Sequence, residues 1–371
     1  MKRIICFLIA AQMLLLAACG GGDESGKETT AGNTVDETTS SSDSTEKTRF
    51  DELGAKDLGG RDIVIMEATD YPSDTMNFYD SEKNGDTIND AIYTRDAKIG
   101  DMYKANIKYI VSTSSPDGIK QITNGYLAGD KVCDIVYGVA ASDDALRSLA
   151  VQGMLANLND ISYLSFDKPW WSNFAHDNLT LGGKAYFATG DIMPHAYTAP
   201  IVMTGNLALL EKYAPDEDIY ELVTSGNWTI DKLVEYLILP MPKYDSEQES
   251  YRSMMNAWGT CFMGIMSNTD VDDIGFIAEA LAYESYNSVR PEVYEKLLKV
   301  KLARDDRSTN MIDTIFDGLT IDFNALCDFG GTISVIADSI YKGKPLASNM
   351  AKKQAAADEA IEKFVEGWTQ E

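Results

Sequence analysis

Between Arg61 and Val151 the chain alternates short apolar runs with helical patterns, and this alternation limits the folds open to it. Arg61-Asp62-Ile63-Val64-Ile65-Met66 is a β-branched run, read as a buried strand. Thr87-x-x-Asp90 opens a helical pattern carrying Ile88, Ile92, Ile99 and Tyr103. Ile107 to Val111 reads as a second strand, Pro116 to about Leu127 as a helix closed by Gly129, Cys133 to Gly138 as a third strand, and Asp143 to Val151 as a third helix. Strands and helices in turn predict an α/β fold with a largely parallel sheet wrapped by helices. Ligands of such sheets bind beyond the carboxyl ends of the strands. Here those ends lead into the loops at Asp70-Tyr71 and at Tyr137 to Asp143.

The first residues read as a leader. Lys2 and Arg3 precede an apolar run from Ile4 to Leu16, and Leu16-Ala17-Ala18-Cys19 resembles a bacterial lipobox. The run is too short for a good spanning helix. The expectation is a signal peptide over 1–18 and lipid on Cys19, which would hold the protein at the cell membrane on its extracellular face. Residues 19–57 read as an acidic tether, rich in Gly, Ser, Thr, Asp and Glu and unable to order itself. As a flexible coil it would set the folded part roughly 30 Å from the bilayer.

Composition removes several function classes. Formal net charge is −26, and nearer −28 once Lys2 and Arg3 leave with the leader. That excess excludes nucleic acid as a natural partner, because phosphate binding needs Lys/Arg clusters. Hydrophobic content of 44% is enough for a sizeable core in 371 residues. Behind the leader, Cys133, Cys261 and Cys327 are widely spaced with no CxxC pair, which predicts buried free thiols rather than a disulfide or zinc framework. No P-loop, GxGxxG, GxSxG or HExxH occurs. His176 and His195 are the only histidines, so no metal site is expected, and no cofactor is implied.

Further along, Gly183 to Asp191 reads as a strand ending in a turn, and Pro200 to Asn206 as a strand feeding a helix at Leu207 to Tyr213. Thr229 is placed as the cap of a helix. Tyr251 to Met266 is apolar and aromatic, a strand reaching a turn at Ser267-Asn268. Asp272 and Ser308 are placed as helix caps and Pro291 as a helix start, with two last helices around Ile333 to Tyr341 and Ser348 to Glu366.

One junction is anomalous. Val234-Glu235-Tyr236-Leu237 runs directly into Ile238-Leu239-Pro240-Met241-Pro242, with no glycine or loop between helix and extended segment. Pro240 disfavours helix at Leu239, so this helix would be poorly terminated.

In order, the lipobox, the tether, Trp170-Trp171, Gly226-Asn227-Trp228-Thr229-Ile230-Asp231, Leu239-Pro240-Met241-Pro242-Lys243-Tyr244-Asp245 and Glu279 to Ser285 resemble the extracellular solute-binding lipoproteins of ABC importers. The set is most similar to the maltose-binding-like, sugar-binding group of Gram-positive bacteria. The resemblance implies two α/β lobes of the type II periplasmic-binding-protein kind, closing on a carbohydrate and passing it to a membrane permease. It implies a monomer with no catalytic residues. In that family a long segment separates the Trp-Thr helix from the Leu-Pro-Met-Pro strand. Here the two abut at Leu237-Ile238, which implies an internal deletion, natural or from gene reconstruction, and an incomplete second lobe. On this reading lobe one is 58–160, partial lobe two 161–237, the return to lobe one 238–270, and 271–371 a helical part spanning both.

A sugar ring has an apolar face and a hydroxyl edge, so aromatic platforms flanked by carboxylates are the sought pattern. Asp70, Tyr71, Tyr137 and Asp143 stand at the strand ends; Trp171 and Trp258 are the further aromatic candidates for ligand contact. Against this binding function stand two alternatives. One is a non-binding remnant of the family. The other is a surface glycosidase-like lipoprotein using two carboxylates about 5–9 Å apart, for which the sequence offers no marker.

Overall fold

A computed structural model describes residues 47–68, 82–139, 146–194, 202, 218–228, 243, 246–255, 260–302, 306–321 and 323–369. Asp70, Tyr71, Asp143, Trp258 and Cys19 lie outside the described residues, as do the leader, most of the Pro200–Tyr213 reading and the Leu237-Ile238 junction.

Helix α1, Arg49–Leu53, falls inside the stretch expected to be tether. Thr48 caps it: its hydroxyl accepts the Asp51 N–H, and the Asp51 carboxylate accepts the Thr48 N–H. Order therefore begins before Leu58, and the folded body takes in part of the acidic segment. Phe50 and Leu53 pack it against the main core, and a five-residue helix owes its stability to that docking, which local composition does not reveal.

The α/β class predicted from the sequence is the one observed. Strand β1, Arg61–Ala68, leads to α2, Thr87–Tyr103; β2, Ala105–Val111, to α3, Ser115–Ala128; and β3, Ile135–Val139, to α4, Leu146–Val151. Asp86, not Thr87, caps α2, accepting the N–H groups of Ile88 and Asn89. Gly129 closes α3 in the left-handed region (φ 82°), as its position suggested. A short helix α5, Asn173–Asn178, and α6, Ile219–Thr224, precede two further strands, β4, Ser253–Met254, and β5, Cys261–Ile265.

The main sheet has the order β2-β1-β3-β5. β1 pairs in parallel with β2 and with β3, and β5 returns antiparallel along β3, Tyr137 opposite Met263. The expected strand at Gly183–Asp191 is absent as a continuous element. It touches the sheet at one bridge, Ala188 to Met263, because Thr189 and Asp191 turn their backbone hydrogen bonds to Ser172 and Trp170.

Helix α7 runs from Val271 to Arg290, capped by Asp270 rather than Asp272. Pro291 does not start a separate helix. Its φ of −59° fits a continuing helical turn, and the chain goes on as a wide-turned helix, Pro291–Leu302. There follow α8, Asp306–Asp317, β6, Leu319–Thr320, α9, Phe323–Cys327, α10, Thr332–Lys342, and α11, Leu346–Thr369.

Both sheet faces are covered. Ile63, Ile65, Ile135, Met263 and Ile265 pack with Ile99 and Tyr103 of α2 and Phe276, Ile277 and Leu281 of α7. Met66, Val136 and Phe262 pack on the other side with Ile119, Ile122, Leu149, Phe364 and Trp368. Adjacent side chains of a strand point to opposite faces, so alternate residues of β1 divide between the two cores. A smaller cluster joins Ile219, Tyr220, Val223, Trp228, Tyr251 and Met311, beside a second sheet of only two described strands, β4 and β6. Trp228 is its fully buried anchor, in keeping with its reading as a core residue.

Candidate functional site

At the carboxyl edge of the main sheet, the face packed by α2 and α7 changes from apolar to polar. Glu67 follows Ile63 and Ile65 on the same face of β1. Its register partner on β3 is Tyr137; Tyr109 of β2 lies opposite Ile65, and Cys261 of β5 opposite Val139, two residues beyond Tyr137. Glu67 is half-buried, and among the described residues no side-chain or backbone donor holds its carboxylate. Burial alone pushes that carboxyl up to about 7. The Tyr137 ring is buried, its hydroxyl has no hydrogen-bond partner, and burial raises its pKa. The Cys261 thiol is pushed up to about 12 by burial, with Glu67 adding to the shift.

Above this row Arg95 of α2 is fully engaged. Its Nε donates to Asp96 Oδ1 at 2.8 Å, one terminal nitrogen to the Ile192 carbonyl and to Ser285 Oγ at 3.0 Å each, and the other to Tyr109 Oη at 2.8 Å. Arg95 thus fixes α2, α7, β2 and the 190s loop to one another. It leaves no donor over for Glu67.

Asp191 lies on that loop. It is 2% exposed, and neither carboxylate oxygen has a hydrogen-bond partner. The guanidinium of Arg290, at the end of α7, stands 3.9 Å away, beyond hydrogen-bond reach. Burial pushes the Asp191 carboxyl up to about 8, with Arg290 pulling the other way. Arg290 also lies over the rings of Tyr286 and Tyr294, 5.1 and 5.4 Å from their centroids.

Buried polar groups are nearly always hydrogen-bonded, so the unsatisfied Tyr137 hydroxyl and Asp191 carboxylate require an explanation, with the half-buried Glu67 beside them. Glu67, Tyr137 and Asp191 all stand where the strand-end rule places ligand contacts. The arrangement can accept and donate hydrogen bonds to a polar solute. Among the described residues no group of three or more His, Cys, Asp or Glu could hold a metal ion.

Of the six residues expected to contact ligand, Tyr137 is brought to this edge. Trp171 is placed elsewhere than expected: it is 4% exposed, packed against Phe166, and its indole N–H is bonded to Glu279. Glu67 and Asp191 were missed. Glu67 had one available signal, a charged residue closing an otherwise apolar strand. Asp191 had none, since its burial is created by a turn against Trp170. Cys133 is a buried free thiol, whereas Cys261 and Cys327 are only half-buried.

No family model and no curated protein matches the chain. Solved structures are similar at low identity. The galacto-N-biose/lacto-N-biose I-binding protein of the ABC transporter from Bifidobacterium longum is 13% identical, and the match covers 83% of this chain and 99% of that one, with a TM-score of 0.45. The bacterial solute receptor AcbH, which has an exclusive preference for β-D-galactopyranose, is 10% identical over 83% of this chain and 100% of that one, with a TM-score of 0.43. The acarbose-binding GacH receptor of Streptomyces glaucescens is 11% identical over 82% and 98%, with a TM-score of 0.41.

Proposed function

We propose that the chain is a lipid-anchored extracellular solute-binding protein that delivers a carbohydrate to an ABC import permease. The observation that carries the reading is the carboxyl edge of the sheet, where Tyr137 and Asp191 are buried without partners beside the half-buried Glu67. A polyhydroxylated solute supplies the donors and acceptors these groups lack. Asp70, Tyr71, Asp143 and Trp258 are assigned to the same site from the strand-end rule and the family resemblance. Cys19 is assigned the lipid, and the acidic segment behind it the reach from membrane to permease. The protein binds as a monomer, and ligand favours the closed arrangement of two lobes by bridging both.

Isothermal titration calorimetry of the mature chain against mono- and oligosaccharides tests this reading. Saturable one-to-one binding supports it; no binding by any member of the panel overturns it. A second reading, a remnant that no longer binds, is favoured by the junction at Leu237-Ile238. The same titration separates the two. Acylation of Cys19 is tested by globomycin treatment and mass spectrometry of the amino terminus.

A further inference from the structure

Among the described residues no cation pairs with Glu67, since Arg95 gives its nitrogens to Asp96, Ile192, Ser285 and Tyr109, and Arg290 faces Asp191 from between two tyrosines. Tyr137 is the β3 register partner of Glu67 on the same face of the sheet, and its hydroxyl is buried and without a partner. A sugar hydroxyl brings one proton and no charge, so it leaves a buried carboxylate uncompensated. An ammonium brings both a positive charge and three donors.

We infer that the carbohydrate carries an amino group, and that this group seats between the Glu67 carboxylate and the Tyr137 hydroxyl. The inference rests on the reading of this edge as the solute site. One N–H is donated to Glu67 and another to the phenolic oxygen of Tyr137. Strand register fixes the two residues side by side, so the selectivity is for an amine at one position of the ring and not for net charge. The acidic surface of the chain adds attraction for a cationic solute at a distance. N-acetylation removes the charge and enlarges the group, and the site rejects it.

Proton linkage follows from the same contact. Glu67 has a folded-state pKa of about 7, and the titratable groups facing it are Tyr109, Tyr137 and Cys261 on neighbouring strands, with Asp96 and Arg95 of α2 beyond them. Binding of an ammonium near pH 6 ionises Glu67 and releases its proton. A neutral sugar releases none.

The experiment is calorimetry on the full mature chain with matched ligands: glucosamine and galactosamine, their N-acetyl forms, glucose and galactose, and chitosan and chitin oligosaccharides of equal length. The expected result is an amine bound at least about tenfold more tightly than its N-acetyl partner, with proton release near pH 6 shown by buffers of different ionisation heat. Glu67→Gln and Tyr137→Phe, checked for folding by thermal melts, each reduce that preference, and Glu67→Gln abolishes the proton release. Equal or tighter binding of the acetylated or neutral sugars overturns the amine inference and leaves the receptor reading standing. Absence of binding by every carbohydrate overturns both.

Discussion

Trp171 donates its indole N–H to Oε2 of Glu279 at 2.7 Å, across 108 residues of chain. Its neighbour Trp170 donates to Oε1 at 3.1 Å, Arg49 donates to the same oxygen at 2.9 Å, and the Ser165 N–H completes the set at 3.2 Å. Glu279 is fully buried at the centre of α7. Its carboxylate is the point at which α7, the tryptophan pair and the amino-terminal helix α1 meet. A buried carboxylate persists there because every donor around it is a strong one.

Removing one partner from such a hub leaves the rest stranded. Glu279→Ala should lower stability by about 3–5 kcal/mol, since two indoles and a guanidinium lose their acceptor in a dry setting. Denaturant unfolding, compared with a surface control such as Glu359→Ala, reads the effect. A loss below about 1 kcal/mol would show that the network is not structural.

Arg49 makes the amino terminus part of that hub. It also donates to the Tyr163 carbonyl at 2.9 Å and to Ser165 Oγ at 2.7 Å. A chain beginning at residue 47 should therefore melt at a higher temperature than one beginning at residue 58, which lacks α1. Identical melting curves for the two truncations would remove α1 from the folded body.

The pH dependence has two opposing parts. Glu67 and Asp191 have folded-state values raised to about 7 and about 8, so the folded chain holds protons that the unfolded chain gives up near pH 4. Their protonated forms favour folding, and the apoprotein should lose stability as pH rises from about 4 toward 8. Thermal melts between pH 5 and pH 8 should fall by a few degrees, and Asp191→Asn should flatten the slope. A slope of the opposite sign would contradict the burial described for both groups.

Asp134 acts in the other direction. Burial works against its charge, but hydrogen bonds from Lys131, Thr269 and the Val64 N–H outweigh it and hold the carboxyl below its usual value. Its contribution is complete above about pH 4 and is lost as pH falls through the depressed value. Asp134→Asn should cost about 1–3 kcal/mol at pH 7 and progressively less below pH 4. Urea unfolding at pH 7 and pH 3 measures the difference; an equal cost at both would exclude an ionic role.

Gly190 holds the loop that carries Asp191. A Cβ there would lie 2.3 Å from the Trp170 carbonyl and 2.9 Å from the Trp171 Cα, both backbone atoms that cannot swing away. Gly190→Ala should destabilise by about 2–4 kcal/mol and, by moving Asp191, weaken solute binding as well. Wild-type melting and affinity would refute the close approach.

Local order was legible where it depends on residues close in sequence. The periodicity of Ile63, Ile65, Ile88, Ile92 and Ile99 is enough to set strand against helix, and Gly129 follows from the need for a left-handed residue at a helix end. The α/β class followed from that alternation. Tyr137 was a candidate because the strand reading over Cys133 to Gly138 put it near the carboxyl end; it lies mid-strand in β3. What neighbours in sequence do not share, the tertiary structure had to decide. The docking of α1 depends on Glu279, 230 residues from Arg49. The diversion of Trp171 into the core depends on the same carboxylate. Asp191 is buried by a turn against Trp170, with Arg290 facing it from about a hundred residues on, and among the described residues Glu67 is left unpaired because Arg95 is already bound by four other groups. Periodicity records which face a residue occupies; whether a polar group on that face finds a partner is fixed only when distant segments come together.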